Sequence, residues 1–153
     1  MKLLLDTTYF LPAIGISVKG LPKNAPIKLL HKGHQIFIND ITLFELAAKG
    51  AKYAATDKIP PERIAKGIRA IAYSEKINRI PAHESTILLT AIKLRSILDD
   101  FIDCLILSSA INRCDSLITE DSDIQNIQEN KTYIENLKTK NPNFKIQKLS
   151  EIL

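Results

Sequence analysis

No stretch of this chain supplies the roughly 18–20 uninterrupted apolar residues that a membrane helix requires; its apolar runs are short and broken by charge. The first residues offer one lysine and then Asp6, with neither a long apolar region nor a small-residue cleavage site. A secretory leader is therefore not expected, and a cytoplasmic location is. Cysteine occurs twice, as Cys104 and Cys114, ten positions apart in one helical stretch. At ~1.5 Å rise per residue they stand ~15 Å apart, too far for a mutual disulfide, and their apolar neighbours suit buried, reduced thiols. Of the three histidines, His31 and His34 have ligand-like spacing, but His83 is remote and nothing completes a zinc set, so none is expected to do chemistry. Valine occurs once against 24 isoleucines, a bias without chemical content.

What is present fits one globular domain over residues 1–153. Hydrophobic residues make up 45% of the chain, enough for a real core and too many for a disordered one. The net charge of +4 and the pI of about 9.0 are compatible with a nucleic-acid partner, though mild. Between residues 19 and 32 the only formal charges are Lys19, Lys23, Lys28 and Lys32, and Lys49 with Lys52 forms a second group. Lysines beside an acidic metal pocket suit a phosphodiester; each taken singly is equally a solvated surface residue.

Strand-like and helix-like segments alternate. Residues 2–5 read as a short buried strand, and 7–16 as a helix or turn leading into a loop with Gly15, Gly20 and Pro22. A short helix starts near Pro26 and ends near Gly33, the positions those residues favour. Residues 35–38 are the second strand. Asn39 or Asp40 then caps a helix in which Ile41, Phe44, Ala48 and the stem of Lys52 recur at helical spacing. Pro61 opens a helix with Ile64, Ile68 and Ile71 on one stripe. Residues 77–80 are extended, helices follow over about 83–98 and 100–114, and 116–119 form a strand. A helix over about 126–139 and a last strand at 144–147 complete the chain. Such alternation implies an α/β fold with a central parallel sheet between helical layers.

Four acids sit alone at the ends of apolar runs. Asp6 closes Leu3-Leu4-Leu5, Glu45 lies just inside the helix after the second strand, Asp103 interrupts the run from Phe101 to Leu107, and Asp121 follows Leu117-Ile118-Thr119. Isolated charge in segments that must be buried is expensive. In an open parallel sheet, sites form beyond the carboxyl ends of the strands, and all four acids fall on that edge. Without a cation, each like-charge pair at ~4 Å would cost on the order of 1–4 kcal/mol. Hard oxygen ligands select Mg²⁺ or Mn²⁺ over zinc. Each acid also has a plain structural reading. Asp40, Asp100, Asp121 and Ser122 stand where helix caps belong, Ser122 with Gln125 has capping-box spacing, and Asp99, Asp100 and Asp103 suit the positive end of a helix.

The order of these motifs resembles a family. Asp6-Thr7-Thr8 after a leucine strand, Thr42-Leu43-Phe44-Glu45-Leu46 opening a helix, Asp103 through Ala110, and Thr119-Glu120-Asp121-Ser122-Asp123 are similar to PIN domains over about residues 1–125. The resemblance implies a Mg²⁺- or Mn²⁺-dependent ribonuclease on a five-stranded parallel sheet. It further implies a VapC-like toxin, homodimeric and held by a small antitoxin partner. The catalytic quartet falls on Asp6, Glu45, Asp103 and Asp121. Asp6, Asp103 and Asp121 would hold metal, with Asp123 a candidate fifth acid. Thr8, Lys49 and Thr119 would contact RNA, which a metal-activated water would hydrolyse. Ile124 stands where an aromatic is usual, and Ser108-Ser109 replace a commoner small apolar pair. The competing readings are a non-catalytic protein- or RNA-binding module of the same fold and, more weakly, a receiver-like domain. In the first, the stripe Ile64, Ile68, Ile71 with Tyr73 is either core or a dimer and antitoxin groove.

Overall fold

A computed structural model describes residues 1–153, the side chain of Lys138 excepted. Five strands form one sheet: β1 (Lys2–Leu5), β2 (Gln35–Asn39), β3 (Ile77–Ile80), β4 (Ser116–Ile118) and β5 (Lys145–Gln147). Their order is β3-β2-β1-β4-β5 and every pairing is parallel. Three consecutive leucines require this central placement for β1. Successive side chains of a strand point to opposite faces, so a run of leucines is stable only where both faces are covered. Leu3 and Leu5 enter one core with Ile36, Ile38 and Ile118, whereas Leu4 enters the other with Leu117 and Ile146.

Helices fill both layers. A 3-10 segment at Thr7–Ile14, α1 (Ala25–His31), α2 (Ile41–Ala55) and α3 (Pro61–Ala72) cover the first face. Helices α4 (Ser85–Leu94), α5 (Phe101–Arg113), α6 (Ser122–Asn126) and α7 (Lys131–Lys140) cover the second. Strands leave β1 first toward β2 and later toward β4, so the crevice where the winding reverses opens at the carboxyl ends of β1 and β4. Among the described residues no helix is long and apolar enough to cross a membrane. Cys104 and Cys114 are free and buried, as expected.

Several expected boundaries shift, each for a local reason. The helix expected over 83–98 is helical only at Ser85–Leu94 and turns thereafter. The helix expected over 126–139 breaks at Asn130, whose side chain accepts from the N–H groups of Thr132 and Tyr133 and caps α7. The capping box of Ser122 and Gln125 does not form. Asp121 is the cap instead, accepting from Ile124 N, and the Gln125 amide donates to the Thr119 carbonyl.

Helix α2 holds the largest surprise. The recurring set Ile41, Phe44, Ala48 and Lys52 is not the face it buries; Thr42, Leu46 and Gly50 are. Gly50 decides this, because a Cβ there would stand 2.6 Å from Ile64 Cγ2 of α3, so the glycine face lets the two helices close up. The α3 stripe is core: Ile64 and Ile71 are buried and Ile68 packs against them, while Tyr73 stands in solvent.

Gly67 of α3 makes a still tighter approach, since a Cβ there would lie 2.2 Å from the Ala13 carbonyl oxygen. Helix propensity favours alanine over glycine by about 1 kcal/mol, but the clash works against it. Gly67→Ala is expected to lower stability by about 1–3 kcal/mol in urea unfolding. A gain in stability would refute the close packing.

Candidate active site

The Asp6 side chain lies where β1 ends, 8% exposed. A buried carboxylate needs donors, and two are supplied. Thr7 N–H donates to Oδ1 at 2.7 Å and the Thr119 hydroxyl donates to Oδ2 at 2.6 Å. Thr119 follows β4, so its bond ties the ends of the two adjacent strands together. The same hydroxyl accepts from Asp121 N–H at 3.1 Å, which turns the chain into the cap of α6.

Glu45 reaches this place from the second turn of α2. Asn39, fully buried at the end of β2, accepts from Ile41 N–H at 2.8 Å and donates to the Ser109 hydroxyl, setting where α2 begins. The Thr7 hydroxyl then donates to Glu45 Oε1. Asp103 arrives in the first turn of α5, which Asp100 caps by accepting from Ile102 N–H and Asp103 N–H. Asp6, Glu45, Asp103 and Asp121 thus line one cleft of about 230 Å³, together with Thr7, Thr8, Lys49 and Glu120. A larger cleft, about 590 Å³, lies against Met1, Asp115 and Lys145 and brings together no comparable acids.

The charges are strained in a consistent direction. Burial raises the Asp6 carboxyl above its ordinary range and Asp121 adds to this, while Thr119, Thr7 and Lys49 oppose it. Burial likewise raises Glu45, against the Thr7 hydrogen bond and Lys49. Asp103 is pushed up to about 7, by burial first and then by Asp100, Asp121, Asp6 and Glu45. These carboxyls therefore compete for protons or for a cation. Among the described residues, however, no three acids, histidines or cysteines stand close enough to grip one ion directly. An all-oxygen set of this looseness still fits Mg²⁺ or Mn²⁺. Mg²⁺ keeps several waters and is ordinarily held by one or two carboxylates together with substrate phosphates.

The other expected residues divide. Thr8 and Lys49 line the cleft, and Lys49 supplies its positive charge. Thr119 does not reach it: the side chain is 0% exposed and its hydroxyl is committed to Asp6 and Asp121, so it positions acids rather than touching substrate. Asp123 is exposed and lines an adjoining cleft that shares Asp103 and Asp121 with the first but does not reach Asp6 or Glu45. Asp40 accepts from Ala82 N–H rather than capping α2. His31 is exposed, and His34 Nδ1 lies 3.5 Å from the amino terminus. Two residues went unrecognised in the sequence. Thr7 orients Glu45, and Glu120 pins the loop before Asp121 by accepting from the Tyr9 hydroxyl at 2.8 Å and Leu149 N–H at 3.1 Å. The Leu149 contact crosses 29 positions and has no local signal.

Ser108 and Ser109 are fully buried and hydrogen-bonded, the first to the Ile87 carbonyl and the second to the Leu105 carbonyl. Ile124, in the aromatic's place, is fully buried in the second core. Neither departure touches the cleft.

A search of curated proteins by sequence finds no match. Among solved structures, the chain is similar to VapBC2 from Rickettsia felis, solved bound to a promoter DNA fragment (TM-score 0.59, 20% identity, 97% of this chain and 98% of that one). It is also similar to a toxin-antitoxin complex from Klebsiella pneumoniae (TM-score 0.53, 20% identity, 85% and 93% covered). A third is VapC20 of Mycobacterium tuberculosis, described as a toxin cleaving the sarcin-ricin loop (TM-score 0.56, 12% identity, 81% and 93% covered). At these identities the likeness speaks for the fold alone. Family is decided by sequence: the model of the PIN domain matches residues 3–130, a span containing all four acids, and the chain belongs to the PIN domain family.

Proposed function

We propose that this protein is a Mg²⁺- or Mn²⁺-dependent endoribonuclease, acting as the toxin of a toxin–antitoxin pair. The observation that carries the reading is the shared cleft of Asp6, Glu45, Asp103 and Asp121, brought from four separate elements, with the carboxyls of Asp6, Glu45 and Asp103 raised first of all by burial. Stability alone disfavours such a cluster; function at the cleft accounts for it. The VapBC and VapC neighbours motivate the toxin assignment, a small antitoxin partner, and a homodimer.

Asp6, Asp103 and Asp121 would hold the cation, which supplies positive charge at the scissile phosphate and acidifies the attacking water. The chain's own groups do the rest. Glu45, held at Oε1 by Thr7, keeps its other oxygen to accept a proton from water. Lys49 offers its ammonium, and Thr8 its hydroxyl, to phosphate oxygens. Tyr9 and Leu149 keep Glu120 in place and thereby steady the turn that carries Asp121. Asp123 would act only through the adjoining cleft.

Cleavage of a mixed RNA pool in Mn²⁺, with and without EDTA, tests the reading. Asp6→Asn, Asp103→Asn and Asp121→Asn are each expected to reduce cleavage by at least about 100-fold, on the scale of removing a charge that organises a transition state. Asp40→Asn and Asp57→Asn serve as controls and stay active. Asparagine keeps the acceptor that Asp40 offers Ala82, and it tolerates the φ of 57° at Asp57. Wild-type Mn²⁺-dependent cleavage by Asp6→Asn would sink the quartet. RNA bound but never cut would favour the non-catalytic module.

The raised pKa values make a second expectation. A carboxyl raised on folding stabilises the folded state while protonated, in full below its unfolded pKa, and that contribution disappears as pH rises through the folded value. For Asp103 this window runs from its ordinary 3.8 to about 7, with Asp6 and Glu45 shifted in the same direction. In EDTA, the Tm contributed by these groups is expected to fall from pH 4 to about 8. Asp103→Asn should flatten the fall, and Mn²⁺ should reverse it at the upper end by binding the ionised acids. Calorimetric Tm values that Asp103→Asn leaves equally pH-dependent would contradict this.

A further inference from the structure

A largely exposed face of α2 runs straight up to the acidic cleft. Ile41, Phe44 and Ala48 stand along it at helical spacing, and Ile102 of α5 faces them across a groove of about 320 Å³. Glu45 and Lys49 belong to both clefts, so the two are continuous. Phe44 is 67% exposed. A single exposed aromatic needs no explanation; this one adjoins Glu45 in the chain and forms a wall of the groove.

We infer that this groove is a nucleobase subsite, with the Phe44 ring as the stacking face for a base flanking the phosphodiester held at the acids. The inference rests on the ribonuclease reading and adds to it the residue that receives the base. Glu45 and Lys49 line both clefts, so a strand whose phosphate sits at the acids runs on into the groove that Phe44 walls. Every base presents a π-face to an aromatic ring, so stacking gives binding without a demand on sequence. Lys49 and Lys52 lie about one and two turns beyond Glu45, where the strand's phosphates leave the groove.

The test uses the full-length protein and a set of eight-nucleotide RNAs, each with one position made abasic. Binding is read by fluorescence anisotropy with Ca²⁺ replacing Mn²⁺, gels confirming that the RNA stays intact. One abasic position is expected to weaken binding to the wild type about five-fold or more, the scale of one stacked base. Phe44→Ala should weaken the intact RNA by a similar factor and lose all discrimination at that position. Phe44→Tyr should restore both. The side chain is exposed, so these changes leave folding intact, which unchanged Tm values verify. Discrimination that persists in Phe44→Ala, or that never exists in the wild type, overturns the subsite while leaving the nuclease reading standing. Unchanged RNA binding with lost self-association, by light scattering, assigns the groove to a protein contact and overturns it too. If the wild type neither binds these RNAs nor cuts RNA in Mn²⁺, both readings fall.

Discussion

Keeping the Asp6 carboxylate out of water at the end of the central strand is the constraint on which the rest of the site depends. A group 8% exposed cannot stay ionised on solvent alone, so the fold must bring it donors. One is local, the Thr7 N–H; the other, Thr119, comes from 113 positions away. That second bond joins the ends of β1 and β4 at the point where the sheet reverses its winding. It also leaves the Thr119 oxygen to accept from Asp121, so the burial of one acid fixes the direction of another. Further acids then enter a neighbourhood already negative, and burial first, with that charge adding to it, pushes the Asp103 carboxyl up to about 7.

Capping and site chemistry are not alternatives in this arrangement. Asp121 accepts from Ile124 N–H as the cap of α6 and still lines the acidic cleft. Asp6 caps the 3-10 segment and still sits at the cleft's floor. Asp100 caps α5 and so aims Asp103, the next residue but two, into the site. Helix starts carry unsatisfied N–H groups and a partial positive charge, so an acid placed there gains a partner without leaving the cleft. The motifs can serve both needs because strands of a parallel sheet hand directly to helices at that edge.

Departures from the commoner motif residues are absorbed below the site. Ser109 accepts from Asn39 and so links α5 to the end of β2, and Ser108 donates across to the Ile87 carbonyl of α4. Buried hydroxyls are tolerated because each finds a partner. Ile124 fills the second core without a ring. The quartet is undisturbed because these positions point away from it.

The order of strands and helices along the chain, the burial of β1 and the gathering of the four acids at one edge of the sheet were legible in the sequence. Each follows from local pattern: a leucine run too short for a helix, alternating apolar segments, and charges at their ends. What the local pattern could not decide was which way each side chain faces once helices pack. The Ile41–Phe44–Ala48 stripe has the spacing of a core face, yet Gly50 on another side of α2 accepts Ile64 and claims the core instead. The break at Asn130 and the capping role of Asp121 were settled by side-chain hydrogen bonds of two and three residues' reach, with several candidates competing for each. Thr119 read as a residue facing substrate, and only the approach of β1 to β4 turned its hydroxyl inward. The Glu120 contact with Leu149 leaves no trace in either segment, because a hydrogen bond across the sheet depends on how the strands are ordered, and strand order is a property of the packed chain.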